Sequence, residues 1–371
     1  MKEKIKLKDV AIHSKGKQIN GSDLVEDGMY DYLNGGINPS GRWNEYNTNG
    51  CTVTISEGGN SSGYVNYMEE PFWCGAHCYY LSGVKGNPKY LYFALKSKQE
   101  QIMNLRTGAT MPNIKKSVLG EFEFTYDSSL EEQDKVVSVL ERIEKIISYK
   151  KEQLLDIDNL IKSRFVEMFG EPEHNIKGWK IVKMEKLCGV SSSKRIYQNE
   201  QSMTGIPFLR ISDLVSRMDT GSKECDLYIP EDRFEKLKEQ GLVPKAGDIL
   251  VTARGTLGRC YIIAEDDEFY FQDGMITWLS EFQDEITPLY ISYLFTMPGF
   301  RKQIDGLQAG STVAYLSISM TKELDIMVPS IELQKQFAAF VQQVDKLKVE
   351  VQKSLAENQL LFDSLMQQYF E

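Results

Sequence analysis

Apolar residues recur along this chain in two regimes, and each regime occurs twice. Val136, Leu140, Ile143, Ile147, Leu154, Ile157, Ile161 and Met168 follow steps of four and three, with Lys150 and Arg164 in the two polar slots. Phe337, Val341, Val344, Val351, Leu355, Phe362, Leu365 and Tyr369 keep the equivalent steps near the carboxyl end, with Lys348 and Asn358 as the exceptions. Such spacing, sustained over several heptads, lays one apolar stripe along a helix and specifies a coiled-coil seam. Two long helices are therefore predicted. One has a seam of Leu140, Ile143, Ile147, Leu154, Ile157 and Ile161, the other of Val341, Val344, Val351, Leu355, Phe362 and Leu365. At 1.5 Å per residue each stripe runs for roughly 60 Å, longer than a compact domain needs, so the helices are expected to pack on each other. Ser129 with Glu132 three residues on has the form of a capping box. Pro329-Ser330 opens the second helix with Glu332 near its positive end, and Gly170 followed by Pro172 stops the first.

Elsewhere the runs are short and rich in β-branched and aromatic residues. Strands are predicted at residues 52–55, 63–67 and 78–81, followed by a helical stretch over 88–105. The order returns with strands at 248–252, 259–263 and 275–279 and a helix over 288–305. Strands, a helix, a polar Gly-Ser/Thr loop and a last strand describe an α+β domain.

A fixed offset joins the two halves. Arg106-Thr-Gly108-Ala-Thr110-Met-Pro-Asn-Ile114 precedes Gln308-Ala-Gly310-Ser-Thr312-Val-Ala-Tyr-Leu316 by 202 positions, and the helices follow at 201. Ser129-Leu-Glu-Glu-Gln133 pairs with Ser330-Ile-Glu-Leu-Gln334, and residues 5–10 resemble residues 182–187. The fold expected is α+β, with two tandem α/β domains, 1–127 and 172–328, separated and followed by long helices at 128–171 and 329–371. A duplicated unit tends to meet its copy about a pseudo-twofold axis, which makes the two helices antiparallel.

Net charge is −10, which argues at first against a partner as acidic as DNA. Divided by segment the objection softens: residues 1–127 carry 14 basic and 14 acidic side chains, and residues 172–328 carry 18 and 23. The helical segments hold 7 against 10 and 4 against 6. Nucleic-acid binding needs a local basic face, but such weak electrostatics imply weak binding alone. Six cysteines are too few for a disulfide scaffold, in keeping with a cytoplasmic protein. Cys74-Gly-Ala-His77-Cys78 lies in an apolar, aromatic segment and reads as buried thiols, with no metal expected. No long apolar run or leader-like amino terminus points to a membrane.

Two polar loops in each half suit contact with a ligand. They are residues 56–63 and 253–258, and the later Gly108-Ala-Thr110 and Gly310-Ser-Thr312. Glycine lets backbone approach closely, while Ser, Thr, Asn and Arg offer donors for phosphates or base edges. Catalysis lacks its parts. Asn87-Pro-Lys-Tyr90 is a poor copy of a methyltransferase pocket and has the form of a helix start, and no phosphate-binding Gly-x-x-x-x-Gly-Lys-Ser/Thr loop occurs. His13, His77 and His174 share no site with a nucleophile.

The duplicated Gly-Ser/Thr loop, the Val328-Pro329-Ser330 strand end, the Glu-x-Gln turns at 131–133 and 332–334 and the long helices together resemble the specificity subunit, HsdS, of type I restriction-modification systems. The resemblance covers the whole chain. It implies two target-recognition domains, each reading one half of a bipartite, interrupted double-stranded DNA sequence. It also implies docking of two methyltransferase subunits, with two motor-nuclease restriction subunits able to join them. The chain itself would be no enzyme and hold no cofactor; S-adenosylmethionine, ATP and Mg belong to the partner subunits. DNA-binding candidates are Lys15, Lys17, Arg42, Asn60, Arg106, Thr110 and Asn113 in the first domain. In the second they are Lys194, Arg195, Arg210, Arg254, Arg259, Ser311 and Thr312. The alternative is a coiled-coil adaptor that binds no DNA, which fits the acidic charge more directly.

Overall fold

The four-three stripes form two helices, Leu130–Phe169 and Ile331–Phe370, of 40 residues each. In the computed structural model, which describes residues 2–108, 110, 112–307 and 314–371, the chain divides into two compact units. The first is Met1–Gln153 with Val351–Glu371 and the second is Leu154–Glu350, so each unit contains part of each long helix.

Within the first unit, Val137 and Leu140 join one core with Met366 and Phe370, and Phe362, Leu365 and Tyr369 pack against it. Within the second, the ring of Phe337 lies 5.5 Å from that of Phe165, 5.4 Å from Phe169 and 5.3 Å from Tyr293. In both units the start of one helix meets the end of the other, so the pair is antiparallel. Of the seam candidates, Leu140, Ile143, Ile147, Ile157, Ile161, Val341, Val344 and Val351 are buried, and Leu154, Leu355, Phe362 and Leu365 are half-buried. Three of the four polar slots have partners: Lys348 pairs with Asp158 of the other helix at 2.5 Å, Arg164 with Glu167 at 2.7 Å, and Asn358 donates to the Ser354 carbonyl at 2.6 Å.

The capping box at Ser129 is only half made. Ser129 Oγ accepts from the Glu132 N–H at 3.4 Å, but the Glu132 carboxylate turns to Lys135, and the Ser129 N–H donates to Asp127 Oδ1 at 2.9 Å. An acid two residues upstream has taken the role of the acid three residues downstream. At the other end Gly170 adopts φ +84°, and its N–H returns to the Val166 carbonyl at 2.8 Å, the left-handed stop that glycine permits.

The two units repeat one sheet plan. The first has an antiparallel sheet in the order Ile12–Lys15, Cys78–Ser82, Thr52–Ser56, Val65–Met68. The second has Gly189–Ser191, Ile276–Ser280, Ile249–Thr252, Cys260–Ile262 in the same order. Beside it stands a three-stranded sheet, Gly41–Trp43, Tyr30–Leu33, Phe72–Cys74 or Tyr228–Ile229, Ile206–Leu209, Tyr270–Phe271, whose last two strands are parallel. A two-stranded ribbon completes each unit, Lys2–Lys6 with Glu123–Asp127 and Lys180–Lys183 with Asp325–Val328. Each expected single helix is broken in two, into Pro88–Lys96 and Gln99–Met103 and into Pro288–Leu294 and Pro298–Leu307. Pro298 lacks the N–H that would continue the earlier helix.

A buried glutamine ties each domain to its helix. Gln133 accepts from the Asn87 N–H at 2.7 Å and donates to the Asp127 carbonyl at 2.6 Å. Gln334 accepts from the Thr287 N–H at 2.8 Å and donates to the carbonyls of Glu285 and Pro329 at 2.9 and 3.0 Å. Both side chains are 1% exposed, so every polar atom needs such a partner. Asn87 and Thr287 in turn cap the helices that open at Pro88 and Pro288, which accounts for the Asn87-Pro-Lys-Tyr90 string. Among the described residues no helix is long and apolar enough to cross a membrane.

Candidate nucleic-acid interface

The register of the four-stranded sheets identifies equivalent positions. Ser56 stands opposite Cys78 and Thr252 opposite Ile276, at the same end of the same strand pair. The loop beyond is closed identically. Gly63 N–H donates to the Ser56 carbonyl at 2.8 Å, and Gly258 N–H to the Thr252 carbonyl at 2.8 Å. Both glycines have positive φ, +88° and +70°. An added Cβ at Gly63 would meet Met103 Cα at 2.7 Å, and one at Gly258 would meet the Arg301 guanidinium at 2.8 Å, so each loop is seated on the helix behind it.

The later polar segment docks on this loop in the same way twice. Ile114 N–H donates to the Glu57 carbonyl at 2.9 Å, and Leu316 N–H donates to the Ala253 carbonyl at 3.0 Å. Next to these bonds, Gly58 bridges Asn113 and Arg254 bridges Tyr315. The two loops singled out in the sequence are therefore neighbours within the first unit, where Arg106 also donates to the Asn60 carbonyl at 3.4 Å. Asn60, Thr110 and Asn113 are exposed at this edge. Ser311 and Thr312 lie outside the described residues, so the second unit's edge is represented by Arg254 and Tyr315.

The basic candidates fall into two groups. Lys15 pairs with Glu57, Arg195 with Asp273 at 2.8 Å and Arg259 with Asp219 at 2.6 Å. Arg210 makes a forked pair with Asp213 at 2.9 and 3.1 Å and reaches Asp226 at 3.4 Å. Arg42 spends its donors on the carbonyls of Gly28 and Met29 at 2.6 and 3.1 Å. Hydrogen bonds to their acids push Arg195 and Arg210 up from the usual guanidinium value, and the Arg259 hydrogen bond holds Asp219 below the usual carboxylate range. A charge already paired with an acid offers little to a phosphate; Arg42 keeps its charge but holds its guanidinium against backbone carbonyls. Lys17, Lys194 and Arg254 form the second group: all three are exposed, and among the described residues their side chains have neither an acid within ion-pair distance nor a carbonyl to donate to. Arg254 lies 4.8 Å over the ring of Tyr315, which holds the guanidinium at the loop edge without neutralising it.

Two features escaped the sequence reading. Arg301 donates to the Leu257 carbonyl and braces the 253–258 loop from behind. In each unit a buried tyrosine hydroxyl clamps the loop that follows the first sheet strand: Tyr32 with both backbone groups of Ile19 at 3.3 Å, Tyr270 with both of Lys194 at 2.8 and 3.2 Å. Cys74 and Cys78 are buried, His77 is exposed, and the hydrogen bond with Cys78, together with burial, pushes the Cys74 thiol up. No group of His, Cys, Asp and Glu among the described residues is placed to hold a metal.

The fold is thus one α/β unit built twice, each copy carrying a polar loop edge and a share of the paired long helices. The family model for the type I restriction modification DNA specificity domain matches residues 2–158 and 176–360. The chain belongs to this type I specificity family. It is 33% identical over 175 residues to a putative type I specificity subunit of Mycoplasma genitalium, across 45% of this chain and 44% of that one. A Mycoplasma pneumoniae counterpart is 29% identical, with 49% of each chain covered. The chain thus spans about half the length of these two curated relatives. A putative specificity subunit of Haemophilus influenzae is 24% identical over 84% of this chain and 79% of its own. Among solved structures, the type I restriction-modification S subunit from M. genitalium superposes with a TM-score of 0.64 at 21% identity, covering 100% and 96% of the two chains. A chain from a type I system studied for complex assembly and conformational transition gives 0.56 at 14%, covering 99% and 96%. At these identities the superpositions establish the shared fold.

Proposed function

We propose that this chain is the DNA-reading subunit of a type I restriction-modification complex. Residues 1–127 and 172–328 each read one half of a bipartite, interrupted duplex target, and the segments 128–171 and 329–371 hold the two readers together. The observation that carries the reading is the duplicated loop edge. One backbone frame, with the same closing and docking hydrogen bonds, presents Gly58 and Asn113 in one unit and Arg254 and Tyr315 in the other. A common frame with different side chains suits two recognition events on one kind of ligand. The chain contributes recognition only. Two methyltransferase subunits supply adenine chemistry with S-adenosylmethionine, and restriction subunits using ATP and Mg complete a nuclease. The neutral balance of the first domain and the acidic excess of the second make the assembled complex, rather than this chain alone, the tight binder.

Domain exchange tests this. Replacing residues 172–328 with the matching segment of another family member, in complex with the methyltransferase subunits, is expected to change one half of the methylated motif and leave the other. A motif altered in both halves, or in neither, overturns the proposal.

A further inference from the structure

Two lysines occupy one position in the two units. Strand Ile12–Lys15 sets Ile12 opposite Ser82, and strand Gly189–Ser191 sets Gly189 opposite Ser280, at the same end of the same strand pair. Lys17 is five residues beyond Ile12 and Lys194 five beyond Gly189, so the register makes them equivalents.

Both are fixed through the backbone, by different means. Lys17 N–H donates to the Cys74 carbonyl at 2.8 Å, and its own carbonyl accepts from the Trp73 indole at 2.7 Å. Gly16 before it leaves no room to shift, since an added Cβ would lie 1.9 Å from the Cys74 carbonyl oxygen. Lys194 N–H donates to the Tyr270 hydroxyl at 2.8 Å, and the same hydroxyl returns to its carbonyl at 3.2 Å. Both side chains are exposed, and neither has an acid partner among the described residues. Their near neighbours Lys15 and Arg195, by contrast, are already paired with Glu57 and Asp273.

We infer that Lys17 and Lys194 are matched phosphate anchors, one in each target-recognition domain, which position the domain on duplex DNA and carry no sequence information. This inference rests on the DNA-reading function proposed above. An ammonium on a flexible stem suits a phosphate, a point charge approached from many directions, better than a base edge that demands a planar fork. A cation kept at one place in both units, where Gly58 and Arg254 differ at another, matches what two unlike half-sites have in common, the sugar-phosphate backbone. The locked backbone confines the ordering cost of binding to one side chain.

The test uses the chain assembled with its methyltransferase subunits, with binding measured between 50 and 200 mM salt to a duplex carrying the methylated motif and to a scrambled duplex. For K17A and K194A the salt slope of log affinity should fall by about one each, and by about two in the double variant. Both duplexes should weaken by one common factor, leaving their ratio unchanged, and K17R and K194R should restore the slope. An unchanged slope in the double variant, or a changed ratio between duplexes, overturns the anchor assignment while the DNA-reading function stands. An unsubstituted complex that binds neither duplex overturns both.

Discussion

Arg254→Ala separates reading from folding. The side chain is exposed and makes no ion pair among the described residues, and its bridge to Tyr315 runs through backbone, so removing the guanidinium leaves no buried group unpaired. Among the described residues it gives up only the contact at 4.8 Å over the Tyr315 ring, which at an exposed site is worth about 0.5–1 kcal/mol. A forked arginine contact to a guanine edge is worth about 1–3 kcal/mol of discrimination, so the variant should lose about 5- to 150-fold in preference at one base position. Arg254→Lys keeps the charge without the fork and should recover overall affinity but little of the preference. The assay is methylation by the reconstituted complex of a duplex set in which each base of each half-site is permuted. The expected result is relaxed preference in the half-site read by residues 172–328 and an unaltered profile in the other. Equal loss in both half-sites, or full preference retained in both, refutes the assignment of Arg254.

Phe337→Ala empties a fully buried site ringed by Phe165, Phe169 and Tyr293 and should cost about 3–5 kcal/mol, read by denaturant unfolding; a cost below about 1 kcal/mol would show that the ring cluster does not hold the second unit's helices together. Burial pushes the Glu144 carboxyl up, opposed by Lys89 and reinforced by Glu141 and Glu69. The protonated form is favoured in the fold, so its stability is present below the usual carboxylate value and lost as pH rises through the raised one. Glu144→Gln should therefore melt higher than the parent at pH 7 and lose the advantage below about pH 4, where an equal Tm at both pH values contradicts the burial cost. A heptad inserted after Gln153 and another after Glu350 adds about 10.5 Å to each helix, or about three base pairs. If the helices measure the unread spacer, motif mapping should show it longer by that amount with both half-sites intact, and an unchanged spacer with full methylation would remove the ruler role.

The large-scale plan was legible because it repeats. Helix stripes depend on local spacing, and the 201-residue offset exposed two copies of one α+β unit without any knowledge of strand pairing. Gln133 and Gln334 were visible as turn residues, but their bonds to Asn87 and Thr287 span 46 and 47 residues and follow only from the docked helix. The basic candidates were least legible. Glu57 lies 42 residues from Lys15, Asp273 lies 78 from Arg195 and Asp219 lies 40 from Arg259, so these three pairings follow only from the folded arrangement. The three-stranded sheet was missed because its strands are two to four residues long and one pair is parallel, which leaves no hairpin signal. Lys17 and Lys194 could be recognised as equivalents only once Ile12 and Gly189 were seen at the same register position.

The central claim, that this chain gives a methylating complex its DNA sequence, is tested most directly by single-molecule sequencing of genomic DNA from cells with and without its gene. A methylated motif of two half-sites separated by an unread spacer should be present in the first and absent from the second. A methylation pattern that survives the deletion, or a lost motif that is continuous rather than interrupted, contradicts the account and favours an adaptor that reads no DNA.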